Sequence, residues 1–153
     1  MAKSANNISI GNAGEYFVAG ELERHGFSVA VPMSNVELFD ILAFHRESHR
    51  QVAIQVKTSH GKKKEWTLTA KNENIMDSAI FYVFVLLNDM EAPSYHIVPS
   101  QVVAKTLKES HQLWLSTPGK KGQPHNDNDI RKFADPEDVY LNRWEQLNDM
   151  DVY

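Results

Sequence analysis

The sequence predicts an α/β (α+β) protein, with a central mixed β-sheet flanked by helices. Three observations carry this. Short runs rich in Val, Ile, Phe and Tyr recur between residues 27 and 98, and one of them, residues 79–87, is apolar throughout. A segment of helical period precedes these runs and two more follow them, the order expected of a sheet with helical cover. Polar turn-forming stretches separate the runs at close spacing, and no repeat or linker interrupts them.

In chain order, residues 9–25 read as a helix. Ile10, Ala13, Phe17, Val18 and Leu22 fall near one face, Ser9 or Asn12 supplies a cap, and Gly26 supplies a C-terminal stop. Residues 27–31 read as a short strand ended by Pro32, and 33–38 as a connecting loop. The strand at 39–45 alternates less cleanly, as expected if both its faces are partly covered. Residues 46–50 form a hairpin-like turn. The strand at 51–58 places Val52, Ile54 and Val56 on one face and Ala53, Gln55 and Lys57 on the other.

A polar loop at 59–64 leads into a strand at 66–69. Residues 79–87 read as a central strand buried on both faces, 88–94 as a turn and 95–98 as a further strand. Pro99-Ser100 introduces a helix over about 101–111, since proline suits a first helical turn. Residues 116–129, rich in Gly, Pro, Asn and Lys, read as a loop. Asp135-Pro136-Glu137 opens a last helix through about Leu147, packing through Val139, Tyr140, Trp144 and Leu147.

The chain has 153 residues, which predicts one domain spanning 1–153 with a core that needs no covalent staples. There is no cysteine, so disulfides and thiolate metal sites are excluded. The first residues lack the apolar core of a signal peptide, and no apolar run approaches the length of a membrane span, so a cytoplasmic protein with no membrane partner is expected. Net charge is −4 but strongly polarised. Residues 46–71 carry seven basic side chains against two acidic ones, and residues 135–153 carry six acidic against one basic.

The candidate chemistry lies at the ends of two adjacent strands. Asp40 supplies a carboxylate, Gln55 an amide oxygen and Val56 a backbone carbonyl, all suited to a hard divalent cation. Lys57, two residues beyond Gln55, points to the same face and brings a positive charge to the same place. A cation that polarises a phosphate, oxygens that hold it and an ammonium that stabilises developing charge are the requirements of phosphodiester hydrolysis. The lysine run Lys62, Lys63 and Lys64 suits a nucleic-acid backbone, and Lys120 and Lys121 sit in a glycine-bearing loop that could close over one. Trp66, beside that run, is a candidate base contact. The seven histidines show no zinc spacing, and no GxxxxGK(S/T), GxGxxG or GxSxG motif is present.

In these residues the chain resembles the PD-(D/E)xK nuclease superfamily, including branches similar to Holliday-junction resolvases and small homing or restriction endonucleases. The run Gly11 to Leu22, with Gly26-Phe27 after it, looks like the family's first helix, where a glutamate follows a glycine; Glu15 matches. Phe39-Asp40-Ile41 matches the metal-binding aspartate, and Ile54-Gln55-Val56-Lys57-Thr58 the carboxylate-x-lysine strand. The segment 95–103 and Trp144 also look similar. Two positions depart from the pattern: Phe39 stands where a proline is usual, and Gln55 where an acid is usual.

The resemblance implies a restriction-endonuclease-like core and a Mg²⁺-dependent deoxyribonuclease, with Mn²⁺ as an alternative ion. Glu15, Asp40, Gln55 and Lys57 would be its catalytic residues, and Asp40, Gln55, Val56 and Glu15 its metal ligands. DNA is the expected partner, and the chain's small size implies a homodimer for cutting both strands. The alternative is a catalytically inactive module on the same fold that binds nucleic acid or protein, motivated by Gln55 and the overall acidic charge.

Overall fold

The computed structural model of the protein describes residues 2–149, with side chains from residue 6. Helix α1 (Ala2–Arg24) precedes strands β1 (Phe27–Ala30), β2 (Ile41–His45), β3 (Gln51–Ser59) and β4 (Glu65–Thr69). A 3₁₀ turn (Ala70–Asn74) leads to β5 (Ile80–Leu86) and β6 (Ser94–Pro99), followed by helix α2 (Ser100–Ser116), β7 (Ile130–Ala134) and a second 3₁₀ turn (Trp144–Leu147). Five strands form a mixed sheet in the order β1-β2-β3-β5-β6, and β4 and β7 form a separate antiparallel pair. Only β3 and β5 run parallel in the main sheet; every other neighbour is antiparallel. Among the described residues, no helix is long and apolar enough to cross a membrane.

The alternation read in β3 decides how the layers form. Val52, Ile54 and Val56 turn inward with Ile41, Phe81 and Val83, and α1 lies over them through Val18 and Leu22. The opposite face of β5 and β6 carries Tyr82, Phe84 and Val98, which α2 covers through Val103 and Leu107. The β4–β7 pair adds Trp66, Leu68 and Phe133 to that second core. Tyr82, Phe84 and Phe133 stack in series, with ring planes 7° apart at both steps. Strand β5 is buried on both faces, which explains its unbroken apolar run.

Several expectations change. Helix α1 begins well before residue 9, so neither Ser9 nor Asn12 is its cap. Its inner face is Gly14, Val18 and Leu22, while Phe17 is 47% exposed. Gly26 does end the helix: its φ of +92° is costly for any residue with a Cβ. Strand β2 has one open face, with Leu42 44% and Phe44 39% exposed. Helix α2 runs further than its apolar period suggested, and Pro99 occupies its N-cap rather than its first turn.

The largest difference lies at the C-terminus. Strand β7 precedes the predicted last helix, whose place from Asp135 to Leu147 is taken by a set of turns and a single 3₁₀ turn. Asp135 is the cause. Its carboxylate accepts the N–H groups of Val139 and Tyr140 at 2.9 Å each, and lies 2.7 Å from Nδ1 of the fully buried His96. A side chain that satisfies those N–H groups while tied to β6 offers the backbone an alternative to a helix. Trp144 and Leu147 are buried as predicted, but Val139 is 51% exposed. The last residues of the acidic tail, 150–153, lie outside the described residues.

Both lateral edges of the main sheet are partly occupied. On β1, the Glu23 carboxylate accepts the Val29 N–H at 3.2 Å, and the Arg46 guanidinium donates to the Phe27 carbonyl at 2.7 Å. On β6, Ile97 N donates to the Tyr140 carbonyl at 3.0 Å and Asn142 N to the Tyr95 carbonyl at 2.8 Å.

Burial alone would raise the Asp135 carboxyl, but the His96 ring and the Tyr140 and Val139 N–H groups outweigh it and hold it below its ordinary value. Its contribution to stability is present above the unfolded carboxyl range and is lost as pH falls through the lowered folded value. Asp135→Ala leaves the His96 ring and two N–H groups without their acceptor. We expect a loss of about 2–3 kcal/mol in urea unfolding, shrinking toward acid pH. Unchanged stability at neutral pH would refute this account of the C-terminal segment.

Candidate active site

The site forms where β2 stops covering β3. Ile41, the first residue of β2, is opposite Ile54, but β3 continues to Ser59. Residues 55–59 therefore keep β5 on one side and have no β2 residue on the other. Asp40 sits at this opening, not inside a strand as its sequence position suggested. Its backbone N–H donates to the Ile54 carbonyl at 2.8 Å, and its Oδ2 accepts the Val56 N–H at 2.8 Å. The N–H and C=O of one strand residue point to the same side, so the Val56 carbonyl lies on this edge as well. Gln55 and Lys57 alternate onto the sheet face opposite Val56, in register with Tyr82 and Phe84 of β5, and both are half-buried.

Helix α1 brings Glu15 to the same end of the sheet. A Cβ at Gly14 would stand only 1.8 Å from Thr58 Oγ1, so a side chain there would push the helix off β3. This glycine sets the approach of Glu15, the next residue, to the strand end that carries Lys57. Thr58 Oγ1 is buried there without a hydrogen-bond partner among the described residues.

The charges report on one another. Burial raises the Glu15 carboxyl, and the Asp40 carboxylate raises it further. Burial also raises Asp40, more than the Val56 N–H and the Lys57 ammonium lower it. Lys57 is lowered, first by burial and then by the positive charge of Lys71, against the opposing pull of Asp40. Glu15, Asp40 and Lys57 thus form one electrostatic group. Lys71, in the 3₁₀ turn after β4, is a member that sequence reading did not single out; it is ion-paired to Glu37 at 3.1 Å. Its place depends on the chain path after β4, and its only signal in the sequence is membership of the basic run.

The candidate donors are all oxygen: two carboxylates, one amide oxygen and one peptide carbonyl. Among the described residues, no three His, Cys, Asp or Glu side chains gather as a metal-holding group. A small hard cation that keeps several waters needs only one or two carboxylates, so these donors fit Mg²⁺ or Mn²⁺.

The other candidates are scattered. Lys62 and Lys63 are exposed on the loop between β3 and β4, just past the end of the site strand. Lys64 is engaged by Asp138, Nζ to Oδ2, at 2.6 Å. Lys120 and Lys121 are exposed on a tight turn in which Gly122 N donates to the Gly119 carbonyl at 2.8 Å. Trp66 is no nucleic-acid contact: it is 3% exposed, and its indole N–H donates to the Val85 carbonyl at 2.9 Å.

This mixed five-stranded sheet flanked by helices, with α1 over β3, is a fold shared with two solved structures, a homing endonuclease and a Holliday junction resolvase. The bacterial homing endonuclease I-Ssp6803I is similar, with a TM-score of 0.52 at 13% identity over 91% of this chain and 89% of that one. So is Hjc, a Holliday junction resolvase from the archaeal hyperthermophile Archaeoglobus fulgidus, with a TM-score of 0.51 at 16% identity over 85% and 86%. No family profile and no curated sequence matches the chain.

The raised carboxyls have a measurable cost. A group whose folded pKa lies above its unfolded value gives stability that is full at low pH and is lost as pH rises through the folded value. Asp40→Asn keeps an oxygen for the Val56 N–H and removes the charge. In metal-free buffer, this variant is expected to melt above wild type at neutral pH, the gap closing as pH falls through the carboxyl range. Calorimetry in the presence of a chelator measures it; equal melting temperatures at neutral pH would refute the electrostatic reading.

Proposed function

We propose that the protein is a metal-dependent endonuclease that hydrolyses DNA phosphodiester bonds. One observation supports this reading: Asp40, held by the Val56 N–H, lies within electrostatic reach of both Glu15 and Lys57, at the end of the strand that carries Gln55. Among the described residues, the side chains of Glu15, Gln55 and Lys57 make no hydrogen bond to another protein group. Half-buried polar groups that the fold leaves without protein partners are available to ligands. The likeness to a homing endonuclease and a Holliday junction resolvase supports the same reading.

In this proposal Asp40, Gln55 Oε1 and the Val56 carbonyl would hold the cation, with Glu15 as a further oxygen donor. The bound ion supplies polarisation of a phosphate oxygen and a water of lowered pKa. Asp40 is held in place by the Val56 N–H, so its free oxygen needs no rearrangement to bind. The three donors of Lys57 orient the attacking water and stabilise the charge that develops on the phosphate. Lys62, Lys63, Lys120 and Lys121 would contact the backbone beyond the cut, while Lys64 is partly neutralised by Asp138. Cutting both strands would need two copies, and the open face of β2, with Leu42 and Phe44, is available for their association.

The test is incubation of the purified protein with supercoiled, linear and four-way-junction DNA in Mg²⁺ or Mn²⁺. Cleavage is expected for wild type. Asp40→Asn and Lys57→Ala should each lower it about a hundredfold or more while remaining folded. Retained cutting by Lys57→Ala would remove that residue from the mechanism. No cutting on any substrate, with DNA binding intact, would instead favour a non-catalytic binding module, the reading that Gln55 in an acid's place supports. A separate check concerns Gln55 itself. Gln55→Glu restores a formal charge and should tighten Mg²⁺ binding about tenfold by calorimetry; unchanged affinity would place Gln55 outside the ligand set.

A further inference from the structure

We propose that Lys71 is a second phosphate-binding cation of this site, and that Glu37 holds it until nucleic acid arrives. The inference rests on the nuclease reading above and adds a residue and a regulation to it.

The backbone around Lys71 is firmly placed. Asn72, its neighbour, is 5% exposed, and its Oδ1 accepts the Thr69 N–H at 3.0 Å and the Thr69 hydroxyl at 3.2 Å. Asn72 Nδ2 donates to the Tyr82 hydroxyl at 2.9 Å. Tyr82 stands directly opposite Gln55 in the β3–β5 pair. Lys71 is therefore anchored, through Asn72 and Tyr82, to the strand position that presents Gln55. Ala70 N adds a bond to the Asp129 carbonyl at 3.0 Å, which ties the turn to the residue before β7. The Lys71 side chain, by contrast, is 60% exposed and extends from this fixed stem to Glu37.

Two ammonium groups near each other repel unless an anion lies between them. A polyanion with regularly spaced phosphates resolves that conflict, Lys57 facing the scissile phosphate and Lys71 its neighbour. Without substrate, a carboxylate takes that place: Glu37 Oε1 lies 3.1 Å from Lys71 Nζ. Glu37 sits in the segment between β1 and β2 that delivers Asp40. Lys71 and Glu37 are both well exposed, and neither makes another side-chain hydrogen bond or ion pair among the described residues. Exposed isolated pairs are weak and salt-sensitive, so a phosphate can displace Glu37 readily.

The experiment measures binding of labelled duplex and four-way-junction DNA by fluorescence anisotropy across a salt series, with steady-state cleavage in parallel. Wild type, Lys71→Gln, Glu37→Gln and the double variant are compared. Lys71→Gln should weaken binding about five- to tenfold, lower the salt slope by about one and raise KM more than it lowers kcat. Glu37→Gln should tighten binding at low salt, and the double variant should behave as Lys71→Gln alone. Unchanged affinity and slope in Lys71→Gln, beside a wild type that binds, would overturn the inference and leave the nuclease reading standing. A Glu37→Gln effect that persists in the double variant, or no such effect at all, would overturn the hold by Glu37. A wild type that neither binds nor cuts DNA would overturn the nuclease reading, and this inference with it.

Discussion

One hydrogen bond organises the working end of this protein: the Val56 N–H donated to the Asp40 carboxylate. A hairpin normally satisfies the inner edges of its two strands against each other. Here β2 begins too late to do so, and β3 runs on with one edge bare. The Asp40 side chain closes that gap and in doing so is fixed beside the Val56 carbonyl and the Lys57 strand position. A structural need and the proposed chemical one are met by the same atom pair. The charge at Asp40 is the part the fold does not need, since an uncharged oxygen would accept the same N–H.

The second layer makes the arrangement rigid. Parallel strands need a crossover, and residues 60–79 form this one with β4 and a 3₁₀ turn where a helix is more usual. That crossover is held down by β7, by the stack of Tyr82, Phe84 and Phe133, and by the Trp66 indole N–H on the Val85 carbonyl. It carries Lys71 back over the strand from which it departed. Strand β3 is thus framed by α1 on one face and by its own outgoing chain on the other, and the site occupies the rim between them.

Much of this was legible in local pattern. Alternation in residues 51–58 separates Val52, Ile54 and Val56 from Gln55 and Lys57, and the structure keeps that division. The apolar run at 79–87 could only be buried on both faces. The glycine after α1 marked its end. What local pattern could not carry was long-range. Asp135 reads as a helix start until its carboxylate is seen to answer to His96, which is buried on another strand. Trp66 sits beside three lysines in sequence, but strand alternation turns it into the core while those lysines lie on the loop before β4. Glu37 and Lys71 are far apart in the chain, and only the path of the crossover joins them. Strand β7 has an irregular sequence whose pairing is set by β4.

The partly occupied margins of the main sheet bear on how copies of this chain can meet. Glu23 and Arg46 take up the backbone groups on the outside of β1, and the segment around Tyr140 and Asn142 does the same for β6. Backbone groups already taken up at both margins of the main sheet make a poorer template for another strand, which disfavours strand addition there. Self-association is left to broad surfaces, whose geometry can be a closed two-fold pair. Two side chains and one short backbone segment at the periphery thereby narrow the quaternary shapes open to this sheet.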